Sequence, residues 1–306
     1  MSKITHFLYC PFTGLGLYGG FRGNRWLRNR IKVFKQFVVP SLAAQTNQNF
    51  TLWISWRPEE RTNPYVKELK VWLNGLSINT VFTYNGVCFW DDKYEDAKAH
   101  ERLITALHHS MHDLIDFVGD ADQVLMTIQP SDDLYRSTMV QEVQDILTKT
   151  DTQAVGYGMG YITNYRTGQL CEYNPTTNPP FFTIKFSKEV FIDPLKHAQY
   201  TGPYKSHEYV GDKLKYLQLP VRGFMVGTHG ENISTHFNHP FAGRVIENGE
   251  KDLVFADFGI DSAQLLQIKT SLRKWIMRHL PYGWQRKLRF LLGECLFNRF
   301  YSFLRN

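Results

Sequence analysis

Two adjacent aspartates, Asp132 and Asp133, follow a run of apolar and β-branched residues, Val124 to Ile128, that stops at Pro130. Such a run reads as a buried strand. The carboxylates therefore stand just past the carboxyl end of a sheet strand, where open α/β sheets take their ligands. Two acidic side chains on such a turn suit a hard divalent cation, Mg²⁺ or Mn²⁺, which prefers carboxylate oxygen and keeps positions open for substrate phosphates. A helix cap is the competing reading. Met139, Val143, Ile146 and Leu147 recur at helical spacing just beyond, and Ser131 or Asp132 could accept from the free amides of a first turn.

The elements that must hold these residues alternate. Ile4 to Cys10 reads as a first strand and is followed by a glycine-rich run, Gly14 to Gly20, whose spacing is neither that of a P-loop nor that of a dinucleotide fingerprint. Leu27, Ile31, Phe34 and Val38 then make an apolar helical stripe, with Arg25, Arg28 and Lys32 on a basic one. Those cations would serve either a phosphate or a solvated face. Strands at Phe50 to Trp56 and Thr80 to Tyr84 flank a helix around Val66 to Leu73, and a further helix carries Leu103, Leu107, Met111 and Leu114 toward the Val124 strand. This order predicts an α/β fold with a mostly parallel sheet and flanking helices. Beyond the acidic turn, Ala154 to Tyr165 and Pro180 to Phe186 read as strands of a small antiparallel addition, with a loop from Tyr173 to Pro180 and a further segment at Val221 to Val226.

Composition narrows the class. The chain has 306 residues, 43% hydrophobic and 21% charged, which excludes a disordered protein. Its four cysteines, Cys10, Cys88, Cys171 and Cys295, lie far apart and read as reduced thiols. No run of about 18 apolar residues predicts a membrane span, and Met1 to Tyr9 holds no signal-like apolar run, so a cytoplasmic protein is expected. The net charge of +6 concentrates at Arg22 to Lys35 and Lys269 to Arg305. Residues 261–306 read as basic amphipathic helices, carrying Arg273, Arg278, Arg286 and Arg299 beside Trp275 and Trp284. They would either dock on a domain spanning 1–260 or lie peripherally on an anionic membrane at its inner face. No nucleic-acid motif appears, and no nucleic-acid partner is expected.

At this point the chain resembles the GT-A glycosyltransferases, and more closely a bacterial rhamnosyltransferase family. Three segments carry the resemblance: Arg30 to Trp53, with Pro40-Ser41-Leu42 and Gln45-Thr46; Thr127 to Gln144 around the acidic turn; and His229-Gly-Glu-Asn-Ile-Ser234. It implies a GT-A-like (Rossmann-like) sheet, a nucleotide-diphosphate-sugar donor, a glycan or lipid-linked acceptor, and transfer of rhamnose or another deoxyhexose. It further implies that Asp132 and Asp133 hold the metal, with His229 or His236 completing the shell, and that Arg25, Arg102, Asp132 and Asn232 face the donor. An inverting transfer needs a carboxylate base, for which Glu208 and then Asp212 are the candidates. The chain departs from the family at Pro130, which stands where that group usually has the first aspartate of its acidic motif. One carboxylate fewer leaves three outcomes open: a sufficient pair, basic residues neutralising the diphosphate, or a binding protein that has lost catalysis.

Overall fold

The computed structural model describes residues 3–13, 24–86, 96–201, 207, 210–230, 232 and 235–264. The chain falls into two compact units, Met1–Leu266 and Gln267–Asn306, and the second lies outside the described residues. The glycine-rich run, Glu208 and the basic C-terminal stretch lie outside them as well.

The first half alternates as the sequence predicts. It runs β1 (Ile4–Pro11), α1 (Asn24–Val33), a π-helical segment (Phe34–Val38), α2 (Val39–Ala43), β2 (Thr51–Ser55), α3 (Pro64–Asn74), β3 (Thr80–Thr83), α4 (Asp96–Val118) and β4 (Gln123–Ile128). β1 pairs in parallel with both β2 and β4, and β2 in parallel with β3, giving the order β3-β2-β1-β4. Successive strands move outward from β1 to β3, and β4 then returns to the other side of β1. The order thus reverses between β1 and β4, and the crevice beyond their carboxyl ends is the ligand position of such sheets.

Pro40 explains the π segment. It has no N–H to give, and its ring would press on the carbonyl four residues earlier in a regular helix. The chain widens instead, and the Val39 N–H reaches back to the Phe34 carbonyl.

The rest of the sheet is antiparallel where it meets β4. After β5 (Leu134–Tyr135) and α5 (Met139–Lys149) come β6 (Ala154–Asn164), β7 (Gln169–Tyr173), β8 (Phe182–Ser187), α6 (Lys188–Ile192), α7 (Pro194–Thr201), α8 (Val210–Lys213), β9 (Tyr216–Thr228), β10 (Ala242–Val245) and α9 (Asn248–Asp257). β8 runs antiparallel to β4 and β6, and β7 and β10 extend the edge. β9 lies parallel to β6 along most of its length and antiparallel to β5. The α/β class holds, and the antiparallel part is broader than the two strands read from the sequence. One apolar core spans both parts, with Met111 and Leu114 of α4 against Phe7, Val124, Met126, Ile184 and Phe186.

Candidate functional site

β4 ends at Ile128, and the turn that follows is held from several sides. The Gln129 N–H extends the parallel ladder by donating to the Tyr9 carbonyl at 2.8 Å. Its side-chain Nε2 donates to the carbonyls of Pro130 and Asp133, each at 2.9 Å, which closes the turn on itself. The aspartates cap no helix: β5 follows directly, and α5 begins only at Met139 after an N-cap, Thr138, that makes no side-chain capping bond.

The motif residues of the first half clamp this turn from below. Ser41 Oγ donates to the Tyr135 carbonyl at 3.1 Å. Gln45 Nε2 donates to the Arg136 carbonyl at 2.8 Å, while Gln45 Oε1 accepts the Val140 N–H at 3.1 Å. The Thr46 N–H donates to the Ser137 carbonyl at 2.8 Å. Pro40-Ser41-Leu42 and Gln45-Thr46 thus fix the position of the strand and helix that follow the aspartates.

Asp132 is the hub. Its residue is 9% exposed, and its Oδ2 forms an ion pair with Arg30, which is 5% exposed. The same oxygen lies 3.3 Å from His229 Nε2 and accepts from Asn232 Nδ2 at 3.0 Å. Asn232 in turn accepts the His229 N–H at 2.7 Å and donates to the Gly227 carbonyl at 2.7 Å, so the segment after β9 folds over the turn. Asp133 Oδ1 accepts the Gly227 N–H at 2.9 Å.

Tyr165 donates to the Asp132 carbonyl at 3.0 Å, and Phe37 of the π segment stacks on the Tyr165 ring with centroids 3.8 Å apart. Gly227 is required here. A Cβ at that position would press into the Asp132 carbonyl oxygen and the Tyr165 ring.

The two carboxyls are driven apart electrostatically. Burial pushes Asp132 up, but Arg30 and the His229 bond outweigh it and hold the group down to about 2. Burial and the neighbouring Asp132 charge push Asp133 well above its ordinary range, against the opposing Gly227 bond.

A divalent ion does not fit these donors as they stand. Hard cations need several carboxylate oxygens aimed at one point. Asp132 Oδ2 already carries a guanidinium and two N–H-bearing groups, and Asp133 Oδ1 carries an amide. Among the described residues no three His, Cys, Asp or Glu side chains group as a metal shell would need.

The predicted site residues are only partly brought together. Asp132, Asp133, His229 and Asn232 meet, whereas His236 stands exposed farther along the chain. Arg25 is exposed in the first turn of α1, Arg102 is half-buried on α4, and Asp212 is exposed on α8. Glu208 lies outside the described residues.

Arg30 is the site residue that sequence reasoning missed. Its signal was position: three after Leu27 and four before Phe34, it lies on the apolar face of α1, where a cation demands a buried partner. A second buried carboxylate braces the neighbouring strand ends. Glu60 accepts from Thr13 Oγ1 at 2.7 Å, from the Arg57 N–H at 3.0 Å and from Arg57 Nη2 at 2.6 Å, tying the chain after β1 to the chain after β2.

An open depression of about 760 Å³ is lined by Ile104 and His108 of α4 and by Glu189, Asp193 and Lys196 of the helical segment after β8, among others. It shares no residue with the acidic turn.

Residues 22–78 match the family described as "Putative rhamnosyl transferase". The resemblance read from the sequence is met over this segment, which contains Arg30, Ser41 and Gln45. No curated protein sequence matches the chain.

Among solved structures, S. aureus TarS residues 1–349 are similar at 13% identity and a TM-score of 0.39, with 94% of this chain and 75% of that one covered. The same protein in complex with UDP-GlcNAc gives 12% identity and a TM-score of 0.38 over 94% and 76% of the two chains. These likenesses are too loose to bear on function. No helix of the described residues is long and apolar enough to cross a membrane.

Proposed function

We propose that the chain is a glycosyltransferase that moves a sugar, rhamnose or another deoxyhexose, from a nucleotide-diphosphate donor to a glycan or lipid-linked acceptor. One observation carries this reading. Arg30, from the segment that matches the rhamnosyl transferase family, and Asp132, from the turn after β4, meet where the strand order reverses. A buried ion pair built from two distant segments at a ligand crevice points to a site rather than to a surface ornament.

In this reading the donor lies across the carboxyl ends of β1, β2 and β4. Arg25 at the amino end of α1 and Arg102 on α4 supply positive charge for the diphosphate, whose departure such charge assists. Asn232 and His229 fix the orientation of Asp132. The acceptor hydroxyl gives its proton to a carboxylate, Glu208 or Asp212. A basic C-terminal stretch would bring the enzyme to anionic lipid at the inner membrane face, where a lipid-linked acceptor resides.

The test is thermal unfolding with a panel of nucleotides and nucleotide-sugars. A ligand that binds only the folded state raises the melting temperature, and the nucleotide that does so names the base. No shift from any donor would refute the reading. A second reading, a nucleotide-sugar-binding protein without catalysis, is favoured by Pro130 and by the three groups already held on Asp132 Oδ2. Slow hydrolysis of a bound donor separates the two, since a transferase leaks some sugar to water and a binder leaves the donor intact.

A further inference from the structure

We propose that Arg30 is the built-in cation of the acidic turn, occupying the position a divalent metal would otherwise hold, so that ligand binding at this site needs no metal ion. This inference rests on the donor-site reading above and says how that site manages its charge.

The argument starts with α1. Arg30 lies on the same face as Leu27, Ile31 and Phe34, all buried, with its guanidinium 5.4 Å from the Trp26 ring. A cation in that place is tolerable only with a counter-charge, because an isolated buried charge is strongly disfavoured. Asp132 is that counter-charge.

The pair is then locked from the other side by His229 Nε2 and Asn232 Nδ2 on the same oxygen. A carboxylate oxygen offers about two lone-pair directions, and three groups already converge on this one. An incoming Mg²⁺ or Mn²⁺ would have to evict the guanidinium or sit beside it as a like charge. The rest of the turn offers little in exchange. Pro130 brings no side-chain oxygen, the Gln129 amide nitrogen is spent on the Pro130 and Asp133 carbonyls, and Asp133 Oδ1 holds the Gly227 N–H.

The functional consequence follows from charge. An unpaired Asp132 at the mouth of the crevice would repel a diphosphate. Paired with Arg30, it presents no net charge there, and Arg25 and Arg102 then act on the phosphates without opposition from the turn.

The experiment titrates Mn²⁺ into the full-length chain and follows the electron-spin resonance signal of free Mn²⁺. The wild type is expected to leave that signal undiminished. Arg30→Met keeps the apolar stem and removes the charge. It is expected to take up one Mn²⁺ per chain, and Arg30→Met with Asp132→Asn to lose that uptake again. Circular dichroism checks that each variant is folded.

Stoichiometric uptake by the wild type, abolished in Asp132→Asn, would overturn the proposal. So would a folded Arg30→Met that takes up no ion. If Arg30→Met does not fold, the wild-type titration alone decides. A parallel thermal series compares each nucleotide-sugar in chelator and in Mn²⁺: equal shifts support the proposal, and a shift that requires Mn²⁺ overturns it. Absence of any nucleotide-sugar effect would count against the transferase reading alone, because the Mn²⁺ result does not depend on a donor.

Discussion

Gly227→Ala is the sharpest structural probe of the site, because the position has no room and the neighbours have no freedom. The new Cβ would lie 2.5 Å from Tyr165 Cζ and closer still to the Asp132 carbonyl oxygen, where real Cβ contacts do not occur below 3.0 Å. Relief requires one of two movements. The end of β9 can draw back, which stretches the 2.9 Å bond from the Gly227 N–H to Asp133 and the 2.7 Å bond from Asn232 to the Gly227 carbonyl. Otherwise the Tyr165 ring must leave its 3.8 Å stack on Phe37.

Overpacking of this kind costs about 1–3 kcal/mol, and each of the two stretched hydrogen bonds about 0.5–1.5 kcal/mol more. A loss of roughly 2–6 kcal/mol is therefore expected, which at about 2–4 °C per kcal/mol lowers the melting temperature by roughly 4–24 °C. The assay is urea unfolding followed by circular dichroism, with scanning calorimetry as the second readout. Gly249→Ala is the control, since nothing lies within 4 Å of a Cβ there and α9 should gain slightly. A Gly227→Ala protein within about 0.5 kcal/mol of wild type would refute the close approach of β9 to the acidic turn.

Other outcomes follow from the same packing. Glu60→Ala removes the buried carboxylate that holds Arg57 and the Thr13 hydroxyl together, and should cost on the order of 3 kcal/mol in urea unfolding; an unchanged midpoint would show that the strand ends need no brace. Phe37→Ala removes a buried ring stacked on Tyr165 and should cost about 3–5 kcal/mol, read the same way.

The pH dependence of stability should be set first by two buried histidines. Burial lowers His6 from 6.5 to about 3 and His197 from 6.5 to about 4. As pH falls below 6.5, the unfolded chain takes up protons that the folded chain refuses, so stability drops between 6.5 and those values, by on the order of 5 kcal/mol for His6 alone. Asp132 behaves differently. Held down to about 2 from 3.8, it contributes stability that is fully present above 3.8 and is lost as pH falls through about 2. The histidine contribution to urea midpoints measured from pH 7 to pH 4 should therefore decline already below pH 6.5, against the opposite contribution of Asp133, whose raised carboxyl takes up its proton first in the folded chain. His6→Gln should flatten that decline, and an equal slope in the variant would exclude His6 as its source.

The sequence by itself determined the local grammar. Apolar runs and helical stripes located β1, β2, β3, β4 and the helices between them, because a buried strand or an amphipathic helix writes its burial directly into residue spacing. The same logic placed Asp132 and Asp133 at a strand's carboxyl end, and the late His-Gly stretch was read beside them only through the family resemblance.

Other features were not legible. β7 and β10 are short strands with weak alternation, β10 at the sheet edge, and β9 runs longer than its apolar stretch because bulged pairing with β6, not hydrophobic pattern, defines its ends. That β5 follows the aspartates, where the helical spacing had suggested a cap, depends on its pairing with β9 about ninety residues onward in the chain.

The chemistry of Asp132 belonged wholly to the tertiary structure. Arg30, His229 and Asn232 come from α1 and from the segment after β9, and no spacing in the chain records that they meet on one carboxylate oxygen. Periodicity reports which face of an element is buried; it does not report what lies against that face, which here is the Asp132 carboxylate paired with Arg30.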